Sequence, residues 1–210
     1  MNKNVERGQA TRALLIEVAT RLFAAHGYDG TSIEAVLADS GVSRGSLYHH
    51  FRSKDALFLA ALEDVGTRTF EPVAAAMSEA ENPIAALRIG CLAWIRMAGD
   101  PVARQLMLID APAVLGWQRW RESDEPALGF IRGALAYAAD TGRIDQRHVD
   151  VFAHVVLATL NEVALMIAQA PDPAAALAVG ESAVAHFLDR LLADTEADPP
   201  ATFSARQSRT

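Results

Sequence analysis

Two short apolar-faced segments hinged on one glycine, within Thr31 to Lys54 (TSIEAVLADSGVSRGSLYHHFRSK), constrain this chain more than any other stretch. Thr31-Ser32-Ile33-Glu34 reads as a capping box, with the Thr31 hydroxyl accepting from the Glu34 amide and the Glu34 carboxylate reaching back. Ile33, Val36 and Leu37 fall at i, i+3 and i+4, one face of a helix. Gly41 follows, where a left-handed residue is least strained, and Ser43 is placed to cap a second helix. Val42, Leu47 and Phe51 can pack back on the first helix. Ser53 can cap a third, with Asp55 in its first turn favouring the helix dipole. The second helix has only about two turns and carries Gly45, so its neighbours must brace it.

A helix-turn-helix of this kind is a device for seating its second helix in the DNA major groove. The residues left facing outward are Arg44, Gly45, Ser46, Tyr48 and His49, followed by Lys54. An arginine can grip guanine O6 and N7 with two bonds, and a serine can serve a base edge or a phosphate. Tyrosine, histidine and lysine at the helix end suit phosphate oxygens. Gly45, having no side chain, lets backbone approach another surface closely.

The run G-Y-x-G-T-S-I…S-G-V-S-R-G-S-L-Y-H-H-F-R-S-K-D-A-L-F resembles the N-terminal domain of TetR-family (tetracycline-repressor-like) transcriptional regulators. The likeness extends upstream to Thr11-Arg12-Ala13-Leu14-Leu15-Ile16-Glu17-Val18-Ala19 and Leu22-Phe23, and covers about the first 65 residues. The resemblance implies that Arg44 and Gly45 face base edges, with Ser46 a further candidate. It implies that Tyr48 and His49 touch phosphates, that Lys54 is a phosphate-binding lysine, and that Thr31 is a cap residue that also meets phosphate. His50 is expected to face inward. Leu37 and Ser40 stand where many members carry alanine, which implies a somewhat different angle between the two helices.

Past residue 55 the pattern stays helical, and no alternating strand pattern competes. Segments at roughly 54–76, 83–98, 102–115, 124–140, 146–170 and 173–193 are separated by Asn82-Pro83, Gly99-Asp100-Pro101, Glu125-Pro126, Thr141-Gly142 and Pro171-Asp172-Pro173. The expected fold is all-α, about nine helices. A three-helix DNA-binding domain over 1–55 (motif about 32–51) precedes a helical ligand-binding and dimerisation domain over 56–194. The remainder, 195–210 with Asp198-Pro199-Pro200, has the composition of a disordered tail.

Residues 149–170 are apolar almost all round, and a helix of that kind must be buried on every side. Together with 173–193, which mixes an apolar stripe with the small residues Ala175, Ala178, Gly180 and Ala183, this segment is expected to meet its symmetry mates in a four-helix interface. Leu160 is placed in that interface. The resemblance implies the same pairing. A two-fold dimer would set its recognition helices about 34–36 Å apart and read a palindromic operator.

The middle of the chain concentrates Trp94, Met107, Trp117 and Phe130 near Asp110, a composition suited to a small-molecule pocket. These five are the candidate ligand-binding residues, and Asp110, Arg121, His154 and Asn161 could supply its polar groups. That a small, largely apolar effector enters this region and releases DNA is what the resemblance implies.

The formal charge of -7 is uneven. Residues 1–55 hold seven Lys/Arg and six acidic residues, a balance of +1, so the bulk is acidic and should turn the N-terminal end towards DNA. Cys91, the single cysteine, excludes an internal disulfide and reads as a buried thiol. No uninterrupted apolar run of about 18 residues indicates a membrane span. The start, MNKNVERGQATR, lacks the apolar core of a signal peptide, so a cytoplasmic location is expected. His148, His154, Glu162 and His186 form no spaced metal set, and no nucleophile elbow or phosphate loop is present. No metal, cofactor or enzymatic activity is therefore expected. The expected function is a homodimeric, ligand-responsive repressor. Its rivals are a constitutive DNA-binding regulator and an all-helical enzyme or carrier using the central pocket.

Overall fold

The structure, a computed structural model, describes residues 3–193, without the side chains of Lys3, Asn4, Trp117 and Arg121. The tail expected over 195–210 lies outside the described residues. Among those described there is no strand, as expected. Helices α1 (Lys3–Gly30), α2 (Ile33–Ser40) and α3 (Arg44–His50) form the head. Helix α4 (Lys54–Ser78) leads out of it into α5 (Pro83–Met97). Helix α6 (101–115) contains a π-helical segment, Arg104–Asp110, and is followed by a short helix, Trp117–Glu122. Helices α7 (Glu125–Asp140), α8 (Val149–Gln169) and α9 (Pro173–Leu191) complete the bundle.

The breakers act where local chemistry places them. Ser43 and Ser53 accept from the Ser46 and Ala56 amides as N-caps, and Gly41 closes α2 with φ 67. Asn82 caps α5 and Asp172 caps α9, each followed by a proline whose missing donor is no loss in a first turn. One break was not foreseen. Inside α1, Gly27 takes φ 70 and ψ 172, a conformation essentially reserved for glycine.

Leu15, Ala19 and Phe23 of α1 meet Leu47 of α3, Phe51, and Leu57 and Phe58 of α4 in one buried cluster. Phe23 and Phe58 meet edge to face at 5.2 Å. Helix α5 is the centre of the bundle, touching α4, α7, α8 and α9. Helices α8 and α9 lie very close. A Cβ on Gly180 would come within 2.8 Å of Ile167 Cδ1, so this glycine serves contact inside the chain.

Helix α8 divides its apolar residues between two faces. Val149, Ala153, Val156, Leu157, Leu160, Ala164 and Ile167 are buried in the chain's own core. Leu160 is only 5 % exposed, so its expected place in a subunit interface is corrected: it faces inward. The opposite face leaves Val151 61 %, Val155 43 % and Met166 62 % exposed, with His154 and Glu162 beside them. With its leading turn, α8 spans 24 residues and contains an 18-residue window of mean hydropathy 1.9, enough by length and composition to cross a membrane. Its packing against α5, α7 and α9 marks it instead as a bundle helix with one uncovered apolar side.

Candidate nucleic-acid interface and central cavity

Helix α3 is held by Leu47 and Phe51, both buried, and by the Arg12 guanidinium 5.4 Å over the Phe51 ring. Arg44 and Gly45 are exposed on its outer edge, and no atom lies within 4 Å of the position a Gly45 Cβ would take. Ser46 is half-buried, Tyr48 is 43 % exposed and His49 is exposed. His50 is half-buried, its ring 5.3 Å from that of His49. Arg44, Gly45, Ser46, Tyr48 and His49 thus share one short helix.

Arg44 is already partnered. Its guanidinium donates to Glu34 Oε1 at 2.8 Å, between α3 and α2. That hydrogen bond holds the Glu34 carboxyl below the usual carboxylate range and raises the Arg44 pKa. Sequence reasoning assigned Glu34 to a capping box with Thr31, and the structure corrects this. Ser32 is the N-cap of α2, accepting from the Ala35 amide at 3.1 Å. Thr31 is 2 % exposed and its hydroxyl donates to the Gly27 carbonyl at 2.8 Å. Buried against the end of α1, it offers no surface to a phosphate.

Lys54 has an intramolecular task as well. Its ammonium donates to the carbonyls of Tyr28 (2.9 Å) and Thr31 (3.1 Å) and lies 3.9 Å over the Tyr28 ring. It clasps the end of α1 to the start of α4. Tyr28 also donates its hydroxyl to Asp55. Partial burial, then the Asp55 bond, pushes the Tyr28 phenol up to about 12.

Behind the head, α4 to α8 enclose a cavity of about 500 Å³. Phe70, Val73 and Met77 of α4 face Leu87, Gly90, Cys91 and Trp94 of α5 across it. Met107, Ala111 and Leu115 of α6, Trp120 of the short helix Trp117–Glu122, Phe130 and Ile131 of α7, and Leu157, Leu160 and Asn161 of α8 close it. Of the five expected ligand-binding residues, Trp94, Met107 and Phe130 are in this wall. Trp117 cannot be placed there because its side chain lies outside those described, as does that of Arg121. Asp110 is corrected: it is absent from the wall, and its carboxylate accepts the Tyr28 backbone amide at 2.9 Å and the Gln105 side-chain amide at 3.1 Å. His154 is exposed on the far face of α8, whereas Asn161 does reach the cavity. Phe70 and Met77 went unnoticed because an apolar residue at helical spacing carries no signal that separates cavity wall from packed core.

The wall is strongly apolar. Cys91 is 3 % exposed, and burial pushes its thiol up to about 12, so it is not a reactive thiolate. Asn161 donates its amide to Asp124 at 3.2 Å. Two polar atoms of wall residues, Trp94 Nε1 and Asn161 Oδ1, are buried with no hydrogen-bond partner.

Comparison with known proteins matches residues 15–61 to the bacterial regulatory proteins of the tetR family, and residues 84–191 to the tetracyclin repressor-like C-terminal domain. The HTH-type transcriptional repressor AcnR of Corynebacterium efficiens is 39 % identical over 140 residues, spanning 64 % of this chain and 69 % of that protein. A TetR-family transcriptional regulator from Pectobacterium atrosepticum superimposes with a TM-score of 0.74 at 29 % identity, over 92 % of this chain and 98 % of that one. The regulator FadR from Bacillus subtilis, solved in complex with stearoyl-CoA, shares the fold with a TM-score of 0.67 at 18 % identity, over 87 % and 98 % of the two chains.

Proposed function

The chain belongs to the TetR family of helix-turn-helix transcriptional regulators, and from that starting point we propose that it is a homodimeric, cytoplasmic repressor that leaves a palindromic operator when a small apolar effector fills its central cavity. Residues 1–55 are the DNA-binding head, and 56–194 carry effector binding and dimerisation. Arg44 and Gly45 meet base edges, with Ser46 beside them, and Tyr48 and His49 meet phosphates. Lys54 reaches phosphate only by sharing or giving up its clasp on Tyr28 and Thr31.

The observation that carries the effector reading is where the cavity lies. Its wall includes Met107 and Ala111 of α6, which flank Asp110, the residue bonded to the end of α1. It also includes Leu62 and Phe70 of α4, the helix that starts at the clasp. A ligand that moves α6 or α4 therefore acts on the head through contacts already made. A coupling of about 1–3 kcal/mol would change operator affinity about 5- to 150-fold. The constitutive regulator has less support, because it calls for a filled core.

Dimerisation is supported by the uncovered face of α8 and by its neighbour α9. Val151, Val155 and Met166 are exposed on α8, and Val179 of α9 is 71 % exposed. These apolar side chains lie on adjoining helices and suit a four-helix contact with a second copy.

Selection of bound DNA from a random pool, with the protein freed of small molecules, tests the reading. An inverted repeat with half-sites about one helical turn apart is expected. Recovery of no preferred sequence would defeat it. Gly90→Leu tests the effector part. A Cβ there already sits 3.2 Å from Met77 Sδ and 3.9 Å from Phe130, so the larger side chain must occupy cavity space. The variant should bind the operator and no longer release it.

A further inference from the structure

The chemistry of the cavity wall narrows what can occupy it, given that the cavity is the effector site. We propose that its ligand is an uncharged, largely apolar molecule that presents one hydrogen-bond acceptor to Trp94 Nε1 and one donor to Asn161 Oδ1.

Three observations carry this. First, among the described residues the wall holds no lysine, arginine or histidine, and Asp124 is its one charged group. An anion would enter without a counter-charge, and transferring a charge unpaired from water is strongly unfavourable. Second, the Asp124 carboxylate already accepts the Asn161 amide. This settles the orientation of that amide: its nitrogen faces the carboxylate, and its oxygen is the atom left over. Third, the two unpartnered atoms have opposite character. An indole N–H only donates and an amide oxygen only accepts. Buried polar groups are as a rule hydrogen-bonded, so a pair left open in the wall of one cavity marks the places where a guest completes the network. The protonated Cys91 thiol belongs to the same low-polarity surroundings. A neutral amide, alcohol or hydroxy-ketone on an apolar frame meets all of these conditions. An acyl-CoA, as in the FadR complex, brings several negative charges to a wall without a described cation and does not.

The test titrates the full chain with N-phenyl-1-naphthylamine, an uncharged fluorescent reporter. The bound reporter is then competed with dodecanamide, laurate and lauroyl-CoA, which share an alkyl chain and differ in the head group. Dodecanamide should displace the reporter at a concentration at least about tenfold lower than either acid derivative, a difference of about 1.4 kcal/mol. Trp94→Phe keeps a ring without the donor, and Asn161→Leu keeps the size without the acceptor. Each should shrink that advantage while the reporter still binds. If laurate or lauroyl-CoA competes as well as the amide, the ligand class is overturned while the cavity remains an effector site. An amide advantage untouched by both variants overturns the assignment to these two atoms. If neither the reporter nor any competitor binds, the effector reading itself fails, and the proposal with it.

Discussion

The carboxylate of Asp110 accepts the backbone amide of Tyr28 at 2.9 Å, across 82 positions of sequence. Gly27 makes the contact possible. Leaving helical geometry, it turns the next amide towards α6, and a Cβ at Gly27 would lie 3.4 Å from Gln105 Nε2 and 3.7 Å from Asp110 Oδ1. The Tyr28 peptide is thus held on both sides, its amide by α6 and its carbonyl by Lys54 of α4. Tyr28 ties the end of α1 to both α6 and α4.

Asp110→Ala should leave the Tyr28 amide without a partner. A stability loss of about 1–3 kcal/mol is expected in denaturant unfolding. Operator release by effector should weaken more than operator binding does. Equal loss of both in a binding assay would remove Asp110 from the coupling route.

Gly27→Ala should be worse tolerated than alanine at an ordinary helical glycine. The φ of 70 with ψ 172 strains any side chain, by about 1–3 kcal/mol. Thermal unfolding of this variant beside Gly129→Ala, where a Cβ meets open space, gives the comparison. Similar midpoints would argue against the strained turn.

Lys54→Met keeps the aliphatic stem and removes the ammonium that binds two carbonyls. The isolated protein, with no DNA present, should lose about 1–3 kcal/mol of stability. A variant as stable as the parent, but weaker on all duplexes, would return Lys54 to a phosphate role alone.

Arg44→Ala should lower affinity for the selected operator by about 1–3 kcal/mol and relax one base position. Glu34→Ala frees Arg44 from its carboxylate partner. Binding to unrelated duplexes should then rise as a negative charge leaves the interface. Quantitative footprinting on matched and scrambled sites separates the two effects.

Met166→Arg and Val155→Arg should yield a folded monomer in sedimentation, because both side chains lie on the uncovered face of α8. Leu160→Arg should instead unfold the chain by burying an unpaired charge in its own core. A dimeric Met166→Arg variant would place the subunit contact elsewhere.

Stability should fall as pH rises from about 9 towards 12. Unfolded, the Cys91 thiol ionises near 9.0 and the Tyr28 phenol near 10.0, whereas the folded chain keeps both protonated to about 12. The unfolded state therefore releases protons first, and alkali favours it. Both contributions are intact below pH 9 and gone once the folded values are passed. Denaturant midpoints across this range should show a shallower slope in Cys91→Ala and in Tyr28→Phe than in the parent.

What the chain's own order of residues determined was local. Ser43, Ser53, Asn82 and Asp172 cap helices, and Gly41 closes one, because each bonds a partner within four positions. The breakers, the two-turn recognition helix and its outward Arg44 follow from such short-range chemistry. Tertiary structure decided what depended on residues far apart. Thr31 is buried by the end of α1, Asp110 turns to Tyr28 and away from the cavity, and Lys54 reaches two carbonyls more than 20 positions back. Helix α8 reads as apolar on every side, and only its neighbours reveal that Leu160 faces the core while Met166 faces out. Periodicity records how often a side chain returns to a face. Which face is covered, and by what, is settled by packing between elements that the chain brings together only once it has folded.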